Sequence, residues 1–255
     1  MDVPEHCHII GMRIDATSYG DAVARILSWA AAAQSRYVCV ATAHMVMEAY
    51  DSSEFRRAVN AADLVTPDGM PLVWLLRASG LHGQQRVYGP DLTIEVCRAA
   101  EATGAPVGFY GGRPEAINRL QCALRRQVPG LNIAYAFAPP FRPLTPEEDR
   151  GVVDAINASG TRILFVGLGC PKQELWMAGH KGAVRAAMVG VGAAFDFHAG
   201  LVKQAPRWLQ AAGLEWAFRL LMEPRRLWRR YLKHNPRFAA LAVLQILGLA
   251  HHQHG

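Results

Sequence analysis

The feature that most limits how this chain can fold is a repeated alternation of short apolar or β-branched runs with longer stretches of helical periodicity. The short runs cover residues 9–14, 37–42, 64–66, 107–111, 132–137, 163–167 and 187–191. Several are apolar without interruption, as in Ile163-Leu164-Phe165-Val166, the pattern of a strand covered on both faces. Between them, one helix is predicted to start at Ser18, a capping residue, with Ala22, Ile26, Leu27 and Ala30 along one stripe. Another is predicted at Thr145-Pro146-Glu147-Glu148, which has the form of a capping box with proline in the first turn. Pro139, Pro140 and Pro143 mark a stiff connection just ahead of it. Strands and helices in alternation predict an α/β fold, a Rossmann-like and mostly parallel sheet flanked by helices.

After Gly200 the strand signals stop, and segments rich in Trp, Arg and Leu continue to the end. Pro206, Pro224 and Pro236 are each predicted to open a helix there. The charge divides at the same place. Of the net +6, residues 201–255 hold nine Lys/Arg against two acids, leaving 18 basic and 19 acidic residues in 1–200. The expected organisation is an α/β catalytic core over 1–200 with a basic helical C-terminal appendage over 201–255.

Other classes are disfavoured. The five cysteines are scattered without a CxxC pair, which argues against a disulfide framework and a thiolate zinc site. The start lacks the basic and apolar regions of a secretory signal, and the most apolar stretch, 239–250, is too short to span a bilayer. A cytoplasmic location is therefore expected. His6 and His8, and then His251, His252 and His254, crowd the two ends without metalloenzyme spacing such as HExxH, so no metal is expected.

Ligands of open α/β sheets bind beyond the carboxyl ends of the strands, and four strand-end loops have suitable residues. Thr66-Pro67-Asp68-Gly69 presents a carboxylate in a stiff turn, either as a general base or as a turn residue bonded to its own backbone. Gly111-Gly112-Arg113-Pro114 lets backbone N–H groups approach an anion at a helix start. Gly167-Leu168-Gly169-Cys170-Pro171-Lys172-Gln173-Glu174 combines glycines with polar side chains, and Gln173 offers both donor and acceptor. Gly190-Val191-Gly192-Ala193-Ala194-Phe195-Asp196-Phe197 delivers a further carboxylate between aromatics. None has the spacing of GxGxxG or of a P-loop, which counts against standard NAD binding and ATP hydrolysis. Together they suggest a nucleotide-linked, diphosphate-bearing ligand.

With Arg86-Val-Tyr-Gly89-Pro-Asp91-Leu, Ala205-Pro-Arg-Trp208 and the segment from Gly213-Leu-Glu-Trp-Ala-Phe-Arg219 to Arg230-Tyr231, these motifs run in order over nearly the whole chain. In that order they resemble the WecG/TagA/CpsF glycosyltransferase family. The resemblance implies an inverting enzyme without a DxD-type metal site or other cofactor. Such an enzyme moves N-acetylmannosamine or another hexose from a UDP-sugar to a polyprenyl-diphosphate-linked acceptor, peripherally on the inner face of the plasma membrane, in bacterial cell-surface polysaccharide synthesis. It implies Asp68 as the base and Thr42, Gly69, Arg86, Gly89, Asp91, Gly112, Gly169 and Gln173 on the donor side. Arg219, Arg226 and Arg229 would grip the acceptor's diphosphate. One departure stands out: where the family often has Thr-x-Asn, this chain has Thr42-Ala43-His44. Either His44 replaces the Asn, or the register slips and Thr42 takes its place.

The basic residues Arg226, Arg229, Arg230 and Lys233 fall on one helical face beside Leu227, Trp228 and Tyr231, a pattern suited to an anionic membrane surface or to a solvated face of a docked helix. No nucleic-acid partner is expected, because no recognition fold accompanies the basic segment. Self-association into a homo-oligomer is left open. The rival readings are a dinucleotide-dependent oxidoreductase, which lacks its glycine fingerprint, and a non-catalytic membrane adaptor, which leaves Asp68, Arg86 and Gln173 without a task.

Overall fold

The computed structural model describes residues 4–249. The terminal cluster of His251, His252 and His254 lies outside them. The chain opens with an antiparallel hairpin of β1 (His6–Ile9) and β2 (Met12–Asp15). The apolar run over 9–14 therefore does not form the one strand its composition predicts. It reverses at Ile10 and Gly11, whose φ angles of 51° and 81° make the left-handed pair that a tight hairpin turn requires.

The alternating body follows as α1 (Tyr19–Ala31), β3 (Arg36–Ala41), α2 (Ala43–Asp51), α3 (Ser53–Asn60), β4 (Leu64–Pro67), α4 (Met70–Ala78) and α5 (Gly89–Thr103). It continues through β5 (Val107–Gly111), α6 (Pro114–Gln127), β6 (Ile133–Phe137), α7 (Pro146–Ala158), β7 (Ile163–Gly167), α8 (Lys172–Gly179), β8 (Ala187–Gly190) and α9 (Ala194–His198). Both predicted caps are present. Ser18 Oγ accepts from Asp21 N at 3.2 Å, and Thr145 and Glu148 exchange side-chain-to-backbone bonds at the start of α7. Strands β3 to β8 form one six-stranded parallel sheet in the order β4-β3-β8-β7-β5-β6. This is an α/β Rossmann-like fold.

Alternation along each strand builds a core on either face of the sheet. Val38, Val40, Phe109, Phe165 and Val189 pack against α1, α5, α6 and α9. Cys39, Ala41, Tyr110, Val166 and Met188 face α2, α3, α4 and α8. Because β5 connects outward to the edge strand β6 while its neighbour β7 connects inward to β8, the winding reverses between β5 and β7. Such a reversal opens a crevice at the carboxyl ends of the strands. There Gly111, at φ 126°, lies in register with Gly167, and Gly112 N donates to Gly167 O at 3.0 Å.

Three helices complete the chain: α10 (Arg207–Ala211), α11 (Glu215–Met222) and α12 (Pro224–Ile246). Pro206 and Pro224 sit at helix starts, but Pro236 lies inside α12 rather than opening a new helix. The ring costs the helix one backbone bond there. Packing offsets this, because Leu227, His234, Phe238 and Ala242 form a buried stripe and the proline itself is exposed. The end of α12 is tied to the hairpin: Gln245 Oε1 accepts from Ile10 N at 2.8 Å and Gln245 Nε2 donates to His8 O at 2.6 Å. Among the described residues no helix is long and apolar enough to cross a membrane.

The crevice depends on the Gly111–Gly167 approach. A Cβ at Gly111 would stand 2.5 Å from the Gly167 carbonyl carbon, at a φ that L side chains rarely adopt. Gly111→Ala is expected to lower unfolding free energy by about 2 kcal/mol or more in chemical denaturation, whereas Gly151→Ala, in open space on α7, leaves it unchanged or raises it slightly.

Candidate active site

The carboxyl ends of β3, β4, β5, β7 and β8 open into a cavity of about 1940 Å³, closed on the far side by α11 and α12. A single drug-sized ligand typically fills about 300–1,000 Å³, so this space accommodates two. The sequence places a polar group on each wall.

Asp68 follows β4 and is held there by its own backbone, with Asp68 N donating to Ala41 O at 2.9 Å. Its Oδ1 accepts from Arg86 Nη2 at 2.7 Å and Nε at 3.1 Å, while Oδ2 accepts from Gly89 N at 3.2 Å. Arg86 Nε also meets the Asp68 carbonyl, and its guanidinium stacks on the Tyr88 ring at 4.1 Å. The other side of Arg86 reaches the appendage. Nη2 donates to Glu215 Oε2 at 2.6 Å, and Tyr88 OH donates to Glu215 Oε1 at 3.3 Å. Burial raises the Asp68 pKa above the ordinary carboxylate range against the pull of Arg86, and Glu215 adds to the rise. A carboxylate made more basic in this way, at a cavity wall, is equipped to take a proton.

Opposite it, Gly112 at φ 70° precedes the N-terminus of α6, and Gly169 at φ 80° precedes α8. Helix starts with open N–H groups suit an anion. Gln173 is buried, its Oε1 accepting from Gly169 N at 3.1 Å and its Nε2 donating to Glu174 Oε1 at 2.7 Å. Both ends of the amide are therefore fixed. Glu174 is fully buried, Oε2 has no hydrogen-bond partner, and burial lifts its pKa to about 7. Thr42 lines the cavity and caps α2, its hydroxyl accepting from Met45 N at 3.4 Å. Gly69 lies beside Asp68 at the start of α4.

The third wall is basic. Arg219, Arg226 and Arg230 all line the cavity. Arg219 lies over the Phe197 ring at 5.6 Å and Arg230 over Tyr231 at 5.1 Å, and the buried Nε of each has no hydrogen-bond partner. Arg226 is tethered to Glu223 at 2.6 Å. His44, also in the lining, is pushed down to about 3 by burial and by the nearby Arg230, His234, Lys233 and Arg219, so the ring is neutral. The described residues with metal-ligand chemistry that come together are His44, Glu48 and His234, where α2 meets α12.

Of the residues singled out from sequence, Asp68, Gly69, Arg86, Thr42, Gly112, Gly169, Gln173, Arg219 and Arg226 share this cavity. Gly89 sits behind its wall and contributes a backbone N–H to Asp68. Asp91 is not in the lining; it lies on the first turn of α5 and binds Arg207 of α10 at 2.6 Å. Arg86 is occupied by two carboxylates rather than facing a phosphate. Arg229 is exposed over Trp228, outside the cavity, and Arg230 takes the place expected of it. The reason is helical phase. Leu227 points inward, and at about 100° per residue Arg229 is carried about 200° away, while Arg230 returns to within about 60°. Sequence reasoning also gave no role to Glu215, although its place in the Gly213-Leu214-Glu215-Trp216 motif marked it.

Glu174 supplies a stability test. Its folded pKa lies above the unfolded value near 4.5, so its contribution to stability is full below about pH 4.5 and is lost as pH rises through about 7. The Glu174→Gln variant is expected to lack this loss, gaining on the order of 3 kcal/mol relative to wild type between pH 4.5 and 8 in denaturant melts.

Compared with models of protein families, the chain matches one described as "Glycosyl transferase WecG/TagA/CpsF family" over residues 7–252.

Proposed function

The chain belongs to the WecG/TagA/CpsF glycosyltransferase family, a family of cell-surface polysaccharide synthesis, and from that premise we propose an inverting, UDP-sugar-dependent transfer to a polyprenyl-diphosphate-linked acceptor. The observation that carries this reading is the pairing, in one cavity, of the basic Asp68 carboxylate with arginines whose Nε groups have no protein partner. The first is equipped to activate a hydroxyl and the second to bind a multivalent anion.

In the proposed reaction the acceptor hydroxyl oxygen attacks the anomeric carbon of the donor sugar as Asp68 removes its proton. The bond from that carbon to the UDP oxygen breaks on the opposite face, which inverts the centre and releases UDP. Arg86 fixes the carboxylate, with Gly89 N holding its second oxygen. The donor diphosphate is assigned to the N–H groups around Gly112 at the start of α6 and around Gly169, and the donor sugar to Gln173 and Thr42. Charge on the leaving group is met by these donors, with no metal required at the diphosphate. The acceptor diphosphate is assigned to Arg219, Arg226 and Arg230. N-acetylmannosamine is the donor sugar that the family resemblance suggests first.

Trp208, Leu221, Leu232 and Val243 on the three C-terminal helices, and Leu247 and Leu249 just past the end of α12, are large apolar side chains exposed among the basic residues that hold the chain's positive excess. An apolar surface with flanking cations suits an anionic bilayer and supports a peripheral position on the inner membrane face. The acceptor lipid would then enter past α11 and α12.

Two expectations test this reading. Asp68→Asn is expected to keep UDP affinity in calorimetry while lowering the transfer rate by about 10²–10⁴-fold. Unchanged transfer would remove Asp68 from the chemistry. Arg230→Ala is expected to weaken the lipid-diphosphate acceptor by roughly 10- to 100-fold in KM, while Arg229→Ala shifts it by less than about 3-fold.

A further inference from the structure

We infer that His44, Glu48 and His234 form a binding site for one divalent ion of the zinc class, which fastens the C-terminal helix α12 to α2 of the body. One ligand atom from each residue lies within 4.8 Å of the others. The closer distances are more specific. Glu48 Oε1 stands 3.7 Å from His44 Nδ1 and 3.6 Å from His234 Nε2. These are too long for hydrogen bonds. They are close to the spacing of about 3.4 Å between two ligand atoms that share a tetrahedral ion with bonds of about 2.0–2.2 Å. The imidazoles themselves meet at 5.0 Å between ring centroids, tilted by 58°.

Two further observations support a missing partner. The Nδ1 of His44, the nitrogen that faces Glu48, is buried without a hydrogen bond. Buried polar groups are rarely left so, and a ligated imidazole has a reason to be. The charges around the site are also arranged in its favour. Lys233 and Arg237, which flank His234 on α12, are both paired with Asp51 at 3.1 Å and 2.6 Å. Glu48 is thereby left to the two imidazoles. Arg230 and Arg219 oppose a cation but face the cavity, where the proposed function gives them an anion. Two neutral nitrogens and one carboxylate form a donor set typical of Zn²⁺. The fourth position falls to water at the cavity wall, which His44 lines. His44 and Glu48 are one helical turn apart on α2, so the ion is fixed to the body by two ligands and to the appendage by one. The inference is independent of which donor or acceptor is used, and the ion takes no part in the transfer step proposed above.

The test uses the full chain stripped with a chelator and titrated with Co²⁺, read by visible d–d absorption, and with Zn²⁺, read by competition with a chromophoric chelator. One equivalent is expected per chain, with a rise in Tm on Zn²⁺ addition. Glu48→Gln and His234→Gln are each expected to weaken the ion at least about 100-fold and to abolish the Tm rise. A variant with His251, His252 and His254 all changed to Ala is expected to keep the equivalent. Glu48→Gln preserves shape, so it reads the site even if His234→Gln disturbs folding. Absence of a stoichiometric ion, an affinity unchanged by Glu48→Gln, or loss on removing the terminal histidines alone would each overturn the inference.

Discussion

The structure depends most on one largely buried cation shared between two carboxylates. Arg86 lies between Asp68 of the body and Glu215 of the C-terminal segment, 2.7 Å from one and 2.6 Å from the other. Taking three charged groups out of water is expensive, and such a cluster persists only when each member keeps its partners. Loss of either carboxylate would leave the guanidinium undercompensated. The arrangement therefore links the geometry of the Asp68 carboxylate to the seating of α11. A carboxylate at the end of β4 and a segment more than a hundred residues later form a single electrostatic unit.

That link explains why the appendage is part of the site rather than a separate module beside it. Two of the cavity's walls come from strand ends, where parallel strands and a reversal of winding leave an opening. A strand-end crevice alone would be shallow and wet. Helices α11 and α12 close it, bring in arginines, and anchor themselves through Leu227, Phe238 and Ala242 and through Gln245 on the hairpin. The resulting field is divided. The Asp68 side is buried and holds a carboxylate of raised basicity, whereas the appendage side is cationic. A transfer that develops a proton on one group and handles diphosphates on others fits such a division.

Much of this could be read in the sequence, for identifiable reasons. Strands covered on both faces show as unbroken apolar runs, so 107–111 and 163–167 were legible to the residue. Asp68 was legible because a rigid Pro-Asp-Gly turn after a strand leaves its side chain few places to go. The hairpin at Ile10 and Gly11 was hidden, since an apolar run gives no sign of where it reverses except its glycine. Pro236 misled because proline disfavours a helix interior, and tertiary packing of α12 outweighed that local preference. Arg229 misled because four cations within eight residues leave the inward face undecided until Leu227 and His234 are known to be buried. The occupation of Arg86 by Glu215, and the meeting of His234 with His44 and Glu48, are products of tertiary structure alone. Local pattern does not encode them.

The central claim is that one site, built from both parts of the chain, moves a sugar from UDP to a lipid diphosphate. The most direct measurement incubates the full chain with a panel of UDP-sugars and a short-chain prenyl-diphosphate-linked sugar acceptor, with products read by mass and the new linkage by NMR. The account predicts that one UDP-sugar adds a single hexose unit, with inverted anomeric configuration and one UDP released per product. A retained configuration, or sugar transfer that does not require the acceptor's diphosphate, would contradict it.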